Sequence, residues 1–194
     1  IDNRLKGGIG KEIKLMSRRH KGQKQPLSYA QERLWFLTQL APDSRAYNIP
    51  LTMGMTGSLN HQALSDSLAL LVQRHESLRT TFVNEGGAPS QVIHAKMDVP
   101  LERLDADTDL NILRQTVFDL RQGPLWRAAL VDGSGEEMTL VLVLHHIIMD
   151  GWSLGILVSE LAALYNSLEQ EEILTLPPLA LQYADYAYWQ RQWL

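Results

Sequence analysis

The sequence contains no cysteine among its 194 residues, and its apolar runs are short. Without cysteine the chain has no disulfides, no thiolate nucleophile and no cysteine-ligated zinc. No run approaches the roughly 18 consecutive apolar residues that a transmembrane helix needs, and the first residues, IDNRLKGG, lack the apolar centre of a signal peptide. These absences predict a cytoplasmic protein with no membrane partner.

Basic residues are scarce outside the first 25 positions. Residues 1–25 hold eight of the 18 lysines and arginines and two of the 22 acids, whereas the rest of the chain holds ten and twenty, a net charge of −10. Such an acidic body argues against nucleic acid as a partner. Residues 1–25 contain no aromatic residue and four glycines. We therefore interpret them as a basic interdomain linker, with a polyanion-binding arm as the alternative, and residues 26–194 as one domain.

Hydrophobic periodicity and capping signals predict helices and strands in alternation. The predicted helices run from Ser28 to about Leu40, from Asn60 to His75, from about Asp107 to Leu120, from Trp152 or Ser153 to Leu168, and onward from Pro177-Pro178. The predicted strands are Ile49 to Thr56, Leu78 to Val83, Gln91 to His94, Leu125 to Val131 and Met138 to Leu144. This mixture predicts an α+β fold, a two-layer α/β sandwich.

The stretch LVLVLHHIIMDGWS, from Leu140 to Ser153, is the main candidate for a functional site. Five consecutive apolar residues predict a central strand covered on both faces, and two histidines follow at its end. Neighbouring residues of a strand face opposite ways, so one of His145 and His146 is expected to serve a site and the other the scaffold. Taken singly, each histidine also fits a structural role, and Asp150 fits a turn or helix cap. A metal site is disfavoured because only one carboxylate lies nearby.

Several spaced motifs resemble one protein family. HHIIMDG (145–151) is similar to the HHxxxDG signature of the condensation domains of nonribosomal peptide synthetases. LSYAQERLWFLTQL (27–40), RHESLRTTF (74–82), FDLRQGPLWRAAL (118–130) and YADYAYWQR (183–191) resemble other motifs of these domains, in the same order. The signature alone is shared with chloramphenicol acetyltransferase-like acyltransferases.

The resemblance implies the N-terminal lobe of a two-lobed condensation domain, with a chloramphenicol acetyltransferase-like fold and with the C-terminal lobe absent. Two carrier-bound substrates would meet in a tunnel between the lobes. The amine of a downstream aminoacyl-thioester would attack an upstream acyl- or peptidyl-thioester and form an amide. The implied partners are donor and acceptor peptidyl carrier proteins, the second lobe and adjacent synthetase domains. The domain itself would bind no cofactor and no metal, because the carriers bring 4′-phosphopantetheine. The isolated lobe is expected to be inactive.

The resemblance also implies roles for individual residues. His146, the second histidine of the motif, would face the site as a general base or as a residue that orients the amine, and His145 would be structural. Asp150 would form an ion pair with an arginine, Arg79 first and Arg127 second. Removing either charge would then cost about 3 to 5 kcal/mol.

The remaining residues of the motifs are given more modest roles. Gly151 would allow a tight turn or an approach to the pantetheine arm. Trp152 and Ser153 are candidates for the tunnel lining, with packing at the helix start favoured for Trp152. Gln31, Arg33 and Trp35 are interpreted as mostly structural, as are the aromatic residues of the motif at 183–191. His75 has no supporting constellation.

Two other functions fit parts of the pattern. A stand-alone acyltransferase would use a freely diffusing acceptor or acyl-CoA, but the linker-like residues 1–25 and the first motif favour carriers. A non-catalytic recruiting domain of the same fold would be expected to have a degraded signature motif, and here the motif is intact.

Overall fold

The computed structural model describes residues 25–133, 137–171 and 176–193. The predicted linker at 1–25 lies outside them except for its last residue. The helices are α1 Tyr29–Leu40, α2 His61–Arg74, the single turn α3 Asn111–Arg114, α4 Gly151–Glu169 and α5 Tyr183–Trp193. The strands are β1 Gln25–Pro26, β2 Asn48–Thr56, β3 Thr80–Glu85, β4 Ala88–Ile93, β5 Leu101–Leu104, β6 Trp126–Asp132 and β7 Glu137–His145. A 3-10 turn, Glu76–Arg79, precedes β3.

The strands form two sheets. One has the order β1-β4-β3 and is antiparallel, and the other has the order β2-β7-β6-β5, in which only β5 and β6 run parallel. Helices pack on these sheets, so the predicted α+β class is confirmed.

Strand β7 occupies an interior position in the larger sheet, as its apolar run predicts. Each side chain from Leu140 to Leu144 is at most 1% exposed, because β2 and β6 flank the strand and other elements cover both faces. The register places Asn48 of β2 opposite His145 and Trp126 of β6 opposite Leu144. The buried core therefore extends along β7 up to the last residue of the strand.

Three helix starts are set by side chains that the sequence makes recognisable. Ser28 and Gln31 form a reciprocal capping box at α1, Asn60 accepts from the Ala63 N–H at α2, and Asp150 accepts from the Ser153 N–H at α4. Each cap satisfies a backbone N–H that has no partner within the helix. None of the helices in the described ranges has the length and hydropathy needed to cross a membrane.

The predicted helix from about Asp107 to Leu120 is wrong, because only the single turn α3 forms there. Side chains from the loop before β2 and from β2 bind the carbonyls that a longer helix would use. Arg45 donates to the Gln115 carbonyl at 2.9 Å, and Asn48 donates to the Arg114 and Thr116 carbonyls at 3.0 and 2.8 Å. These contacts between distant parts of the chain hold it in an irregular path.

Candidate active site

His145 is the last residue of β7, and its side chain is buried, with 3% of its surface exposed. Its Nδ1 accepts a hydrogen bond from the Ile147 N–H at 3.1 Å, and the rings of Tyr47 and Phe118 lie within 6.3 Å, centroid to centroid. Burial, with a further contribution from His146, lowers the pKa of His145 from 6.5 to about 4. At neutral pH His145 is therefore an uncharged hydrogen-bond acceptor that shapes the following turn.

His146, the next residue, is exposed. Its backbone N–H donates to the Tyr47 carbonyl at 2.7 Å, which continues the pairing between β2 and β7 for one more residue. No hydrogen bond reaches its imidazole from any residue that the structure describes. The two adjacent histidines thus occupy different environments, and of their two imidazoles only that of His146 is exposed to a ligand. That His146 serves a site and His145 the scaffold stays a prediction.

The His146 side chain lines a cleft of about 290 Å³. The walls come from five parts of the chain: α1, with Gln31 and Arg33; Tyr47, before β2; the turn that ends at Asp150; Ser153 of α4; and the first residue of α5, Tyr183. Within the described ranges no three histidine or acidic side chains are grouped as metal ligands. The cleft brings together one imidazole, one carboxylate and one guanidinium, from His146, Asp150 and Arg33.

Asp150 lies at the other end of the turn, where it caps α4. Its Oδ1 accepts the Ser153 N–H at 2.8 Å, and hydrogen bonds from Ser153 hold the pKa of Asp150 below its usual value. The residue is exposed. Asp150 thus has the helix-cap role that the sequence offers as the simpler interpretation.

The expected ion pair between Asp150 and an arginine is not found among the described residues. Arg79 donates instead to the backbone carbonyls of Val72 and His94, at 3.1 and 2.6 Å. Arg127 pairs with Glu102 at 2.6 Å. Both expected partners are therefore engaged elsewhere, Arg79 by backbone carbonyls of α2 and of the segment after β4, and Arg127 by Glu102 of the neighbouring strand β5.

Comparison with known proteins identifies the family. The model of the condensation domain family matches residues 21–194. The chain belongs to the condensation domain family. Among curated relatives, one subunit of the linear gramicidin synthase of Brevibacillus parabrevis is 45% identical over 181 residues, which cover 87% of this chain and 4% of that protein. Phosphinothricin tripeptide synthetase PhsC of Streptomyces viridochromogenes is 40% identical over 185 residues, 87% of this chain and 17% of that protein.

Two solved structures have the same fold as this chain. The X-domain in its complex with OxyB from teicoplanin biosynthesis has a TM-score of 0.86 and 30% identity, covering 96% of this chain and 41% of that one. The starter condensation domain of rhizomide synthetase RzmA has a TM-score of 0.80 and 22% identity, with 88% and 44% covered. The predicted chloramphenicol acetyltransferase-like fold is confirmed. The chain spans less than half the length of these domains and a small part of the synthetases.

The other predicted site residues of the condensation domain surround the start of α4. Ser153 lines the cleft, whereas Trp152 is 85% exposed and not packed at the helix start, so the favoured interpretation of Trp152 is wrong. Gly151 has an ordinary helical backbone, and a Cβ added there would meet nothing within 4 Å. No tight turn requires glycine at this position. The roles of Trp152 and Ser153 in a tunnel stay predictions.

The sequence predicts only structural roles for two residues that line the cleft, Gln31 and Tyr183. Gln31 is 3% exposed and its Nε2 donates to the Ile147 carbonyl at 3.3 Å. Tyr183 shares a 2.9 Å hydrogen bond with Ser28 Oγ, and burial raises the pKa of its phenol. Gln31 belongs to the motif at 27–40 and Tyr183 to the motif at 183–191, so the motifs alone could have pointed to both residues. Their contacts could not be predicted, because they join residues that are far apart in the sequence.

His75 lies in a cluster that its sequence neighbours do not reveal. Glu160 of α4 contacts His75 Nε2 at 2.6 Å and Arg74 Nε at 3.0 Å, and all three side chains are at most 20% exposed. Burial alone would raise the pKa of Glu160, but hydrogen bonds from Arg74 and His75 keep it below its usual value. The cluster joins α2 to α4 and so supports the helix that begins at the candidate site.

Proposed function

We propose that this chain supplies the histidine-bearing side of an active site for amide formation between two carrier-bound thioesters. The amine nitrogen of the acceptor attacks the thioester carbonyl of the donor, a C–N bond forms, and the C–S bond breaks. The nitrogen loses a proton, and the departing sulfur is released as a thiol. The observation that carries the proposal is the exposure of His146 in a cleft beside a buried, neutral His145.

His146 can take the proton from the attacking amine or orient that amine. Its imidazole is free of hydrogen bonds from the described residues, so its lone pair is available to a substrate. The thioester is already activated, so catalysis consists mainly of bringing two tethered groups together in the correct orientation. A neutral His145 adds no positive charge beside the amine that must attack in its uncharged form.

The experiment uses a synthetase module that contains this chain, with a loaded donor carrier and a loaded acceptor carrier. Formation of the dipeptidyl-thioester is followed by mass spectrometry for the wild type, for His146→Ala and for His61→Ala. His61 lies at the start of α2 and serves as the control for loss of a histidine. We expect His146→Ala to reduce the rate by about 100-fold or more, the range of a lost general acid–base group. An unchanged rate would remove His146 from the mechanism.

The chain provides the walls of the cleft described above, and its relatives extend over more than twice its length. We therefore propose that the isolated chain does not turn over and that the second lobe and the carriers complete the site. Amide formation by the isolated chain, mixed with both loaded carriers, would contradict this part of the proposal.

A recruiting role is the second candidate. The solved X-domain that shares 30% identity with this chain is described in complex with OxyB. A recruiting domain needs no free imidazole, so His146→Ala would leave its binding of a partner intact and the module would form no dipeptidyl-thioester even as wild type. The same assay therefore separates the two functions.

A further inference from the structure

The turn that carries His146 is closed by a hydrogen bond from the Ile148 N–H to the His145 carbonyl at 3.1 Å, and three further hydrogen bonds hold its backbone. The His146 N–H donates to the Tyr47 carbonyl at 2.7 Å, and the Ile147 N–H donates to His145 Nδ1 at 3.1 Å. The third hydrogen bond, from Gln31 Nε2 to the Ile147 carbonyl at 3.3 Å, comes from α1. The first is a backbone contact within the same sheet, and the second comes from the last residue of β7. Among the described residues, the side chain of Gln31 is thus the one that ties this turn to a separate helix, α1.

The orientation of the Gln31 amide is fixed by its other contacts. Its Oε1 accepts the Ser28 N–H at 3.0 Å, which turns Nε2 toward the Ile147 carbonyl. The same Nε2 donates to Gln91 Oε1 at 3.4 Å, and Gln91 Nε2 donates to the Pro26 carbonyl at 2.7 Å. Both glutamines are buried, at 3% and 6% exposed. A buried polar side chain with its donors and acceptors matched in this way is held in one conformation.

We propose that Gln31 is a positioning residue that sets the placement of the His146 imidazole by holding the Ile147 carbonyl. The proposal rests on the function proposed above for His146. Gln31 makes no hydrogen bond to the imidazole itself and acts through the backbone of the turn. Its network also connects the smaller sheet, through Gln91 of β4, to the end of β7 in the larger sheet. The site would then depend on both sheets rather than on the strand that bears the histidines.

Gln31→Glu separates this role from helix capping. The introduced carboxylate keeps an oxygen that accepts the Ser28 N–H, as the capping box requires, and loses both hydrogens that Nε2 donates. The carboxylate and the Ile147 carbonyl oxygen would then face each other with no hydrogen between them. Their repulsion should displace the turn. Gln31→Met is the second variant, because it removes both functions with similar length and no buried charge. Thr38→Ala is the control, since Thr38 is a buried residue of the same helix that donates to the Leu34 carbonyl.

The first readout is hydrogen exchange of the full chain, which needs no activity. We expect faster exchange at the Ile147 and Ile148 amides in both Gln31 variants, with unchanged exchange in α2, and no such change in Thr38→Ala. Because burial raises the pKa of a carboxyl group, lowering the pH toward about 5 should protonate the introduced carboxylate. Measured relative to the wild type at the same pH, protection should then return in Gln31→Glu alone, after correction for intrinsic rates. Unchanged protection of the turn in both variants would overturn the proposal.

The second readout is kcat and KM in the module that contains the chain. Misplacing a reacting group by about 1 Å can cost about 100-fold, so we expect kcat to fall by about 10- to 100-fold in the Gln31 variants with KM nearly unchanged. Loss of kcat in proportion to the unfolded fraction, equally in Thr38→Ala, would show a merely structural role and overturn the proposal. If the wild type forms no amide, the proposed function fails, and hydrogen exchange alone decides whether Gln31 holds the turn.

Discussion

His145 should make the fold sensitive to acid. In the folded chain its pKa is about 4, against an ordinary value of 6.5. At about 1.4 kcal/mol per pKa unit, this gap corresponds to about 3 kcal/mol of stability, taken as an order of magnitude. Because the unfolded chain binds the proton more readily, this stability is fully present above pH 6.5 and is lost progressively as the pH falls to about 4. The loss is a large fraction of the roughly 5 to 15 kcal/mol that stabilises a typical domain.

His145→Asn tests this reasoning, because asparagine Oδ1 can take the place of Nδ1 as the acceptor for the Ile147 N–H and does not titrate. The free energy of unfolding is measured by urea denaturation at steps between about pH 7 and pH 4, for the wild type, His145→Asn and the control His61→Asn. The variant loses ring packing against Phe118, so its stability at neutral pH should be lower. Its pH dependence should nevertheless be flatter by about 3 kcal/mol over the interval. An unchanged slope would refute the assignment of the acid sensitivity to His145.

Two further predictions concern α4. Asp150→Ala should lower the free energy of unfolding, measured by urea denaturation, by about 1 kcal/mol, because the N-cap of α4 is lost. Asp150→Asn should cost less than about 1 kcal/mol, because asparagine caps equally well and only the carboxylate charge is lost. A loss of about 3 to 5 kcal/mol in either variant would instead indicate a buried ion pair. Glu160→Ala should cost about 2 kcal/mol, because it removes charged hydrogen bonds from the Arg74 guanidinium in a largely buried setting. Asp132→Ala, which breaks a much more exposed pair with Arg103, should cost less than about 1 kcal/mol in the same assay, and equal losses would contradict the role given to burial.

The parts of the fold that the sequence predicts are those set by local patterns. The apolar run ending at His145 predicts a buried interior strand, and strand alternation predicts that His145 and His146 occupy different environments. The helix starts after Ser28 and Asn60 follow from capping chemistry that acts within a single helical turn, and the same chemistry offers a helix cap as one of the interpretations of Asp150. In each case the information lies in the segment itself, so the structure agrees closely with the prediction.

The parts that the sequence misses depend on contacts between distant segments. The carbonyls after α3 are bound by Arg45 and Asn48, which no periodicity in residues 107–120 can reveal. Strand β5 has four residues and exists through its parallel pairing with β6. The family resemblance implies an arginine partner for Asp150, but Arg127 pairs with Glu102 in the adjacent strand instead.

The same distinction explains why the candidate site is only partly predictable. A motif names the residue that meets the substrate, but its placement depends on groups that hold the backbone around it. Here the turn after β7 is held by a backbone carbonyl of the segment before β2, by the ring of His145 and by the amide of Gln31. Because one of these anchors is neutral His145, protonating it would remove the acceptor for the Ile147 N–H and disturb the turn before the fold is lost. Activity that depends on His146 should therefore decline as the pH falls through the range in which His145 is protonated. His145→Asn, which does not titrate, should remove that part of the decline, and an unchanged acid limb of the activity profile would contradict the role given to His145.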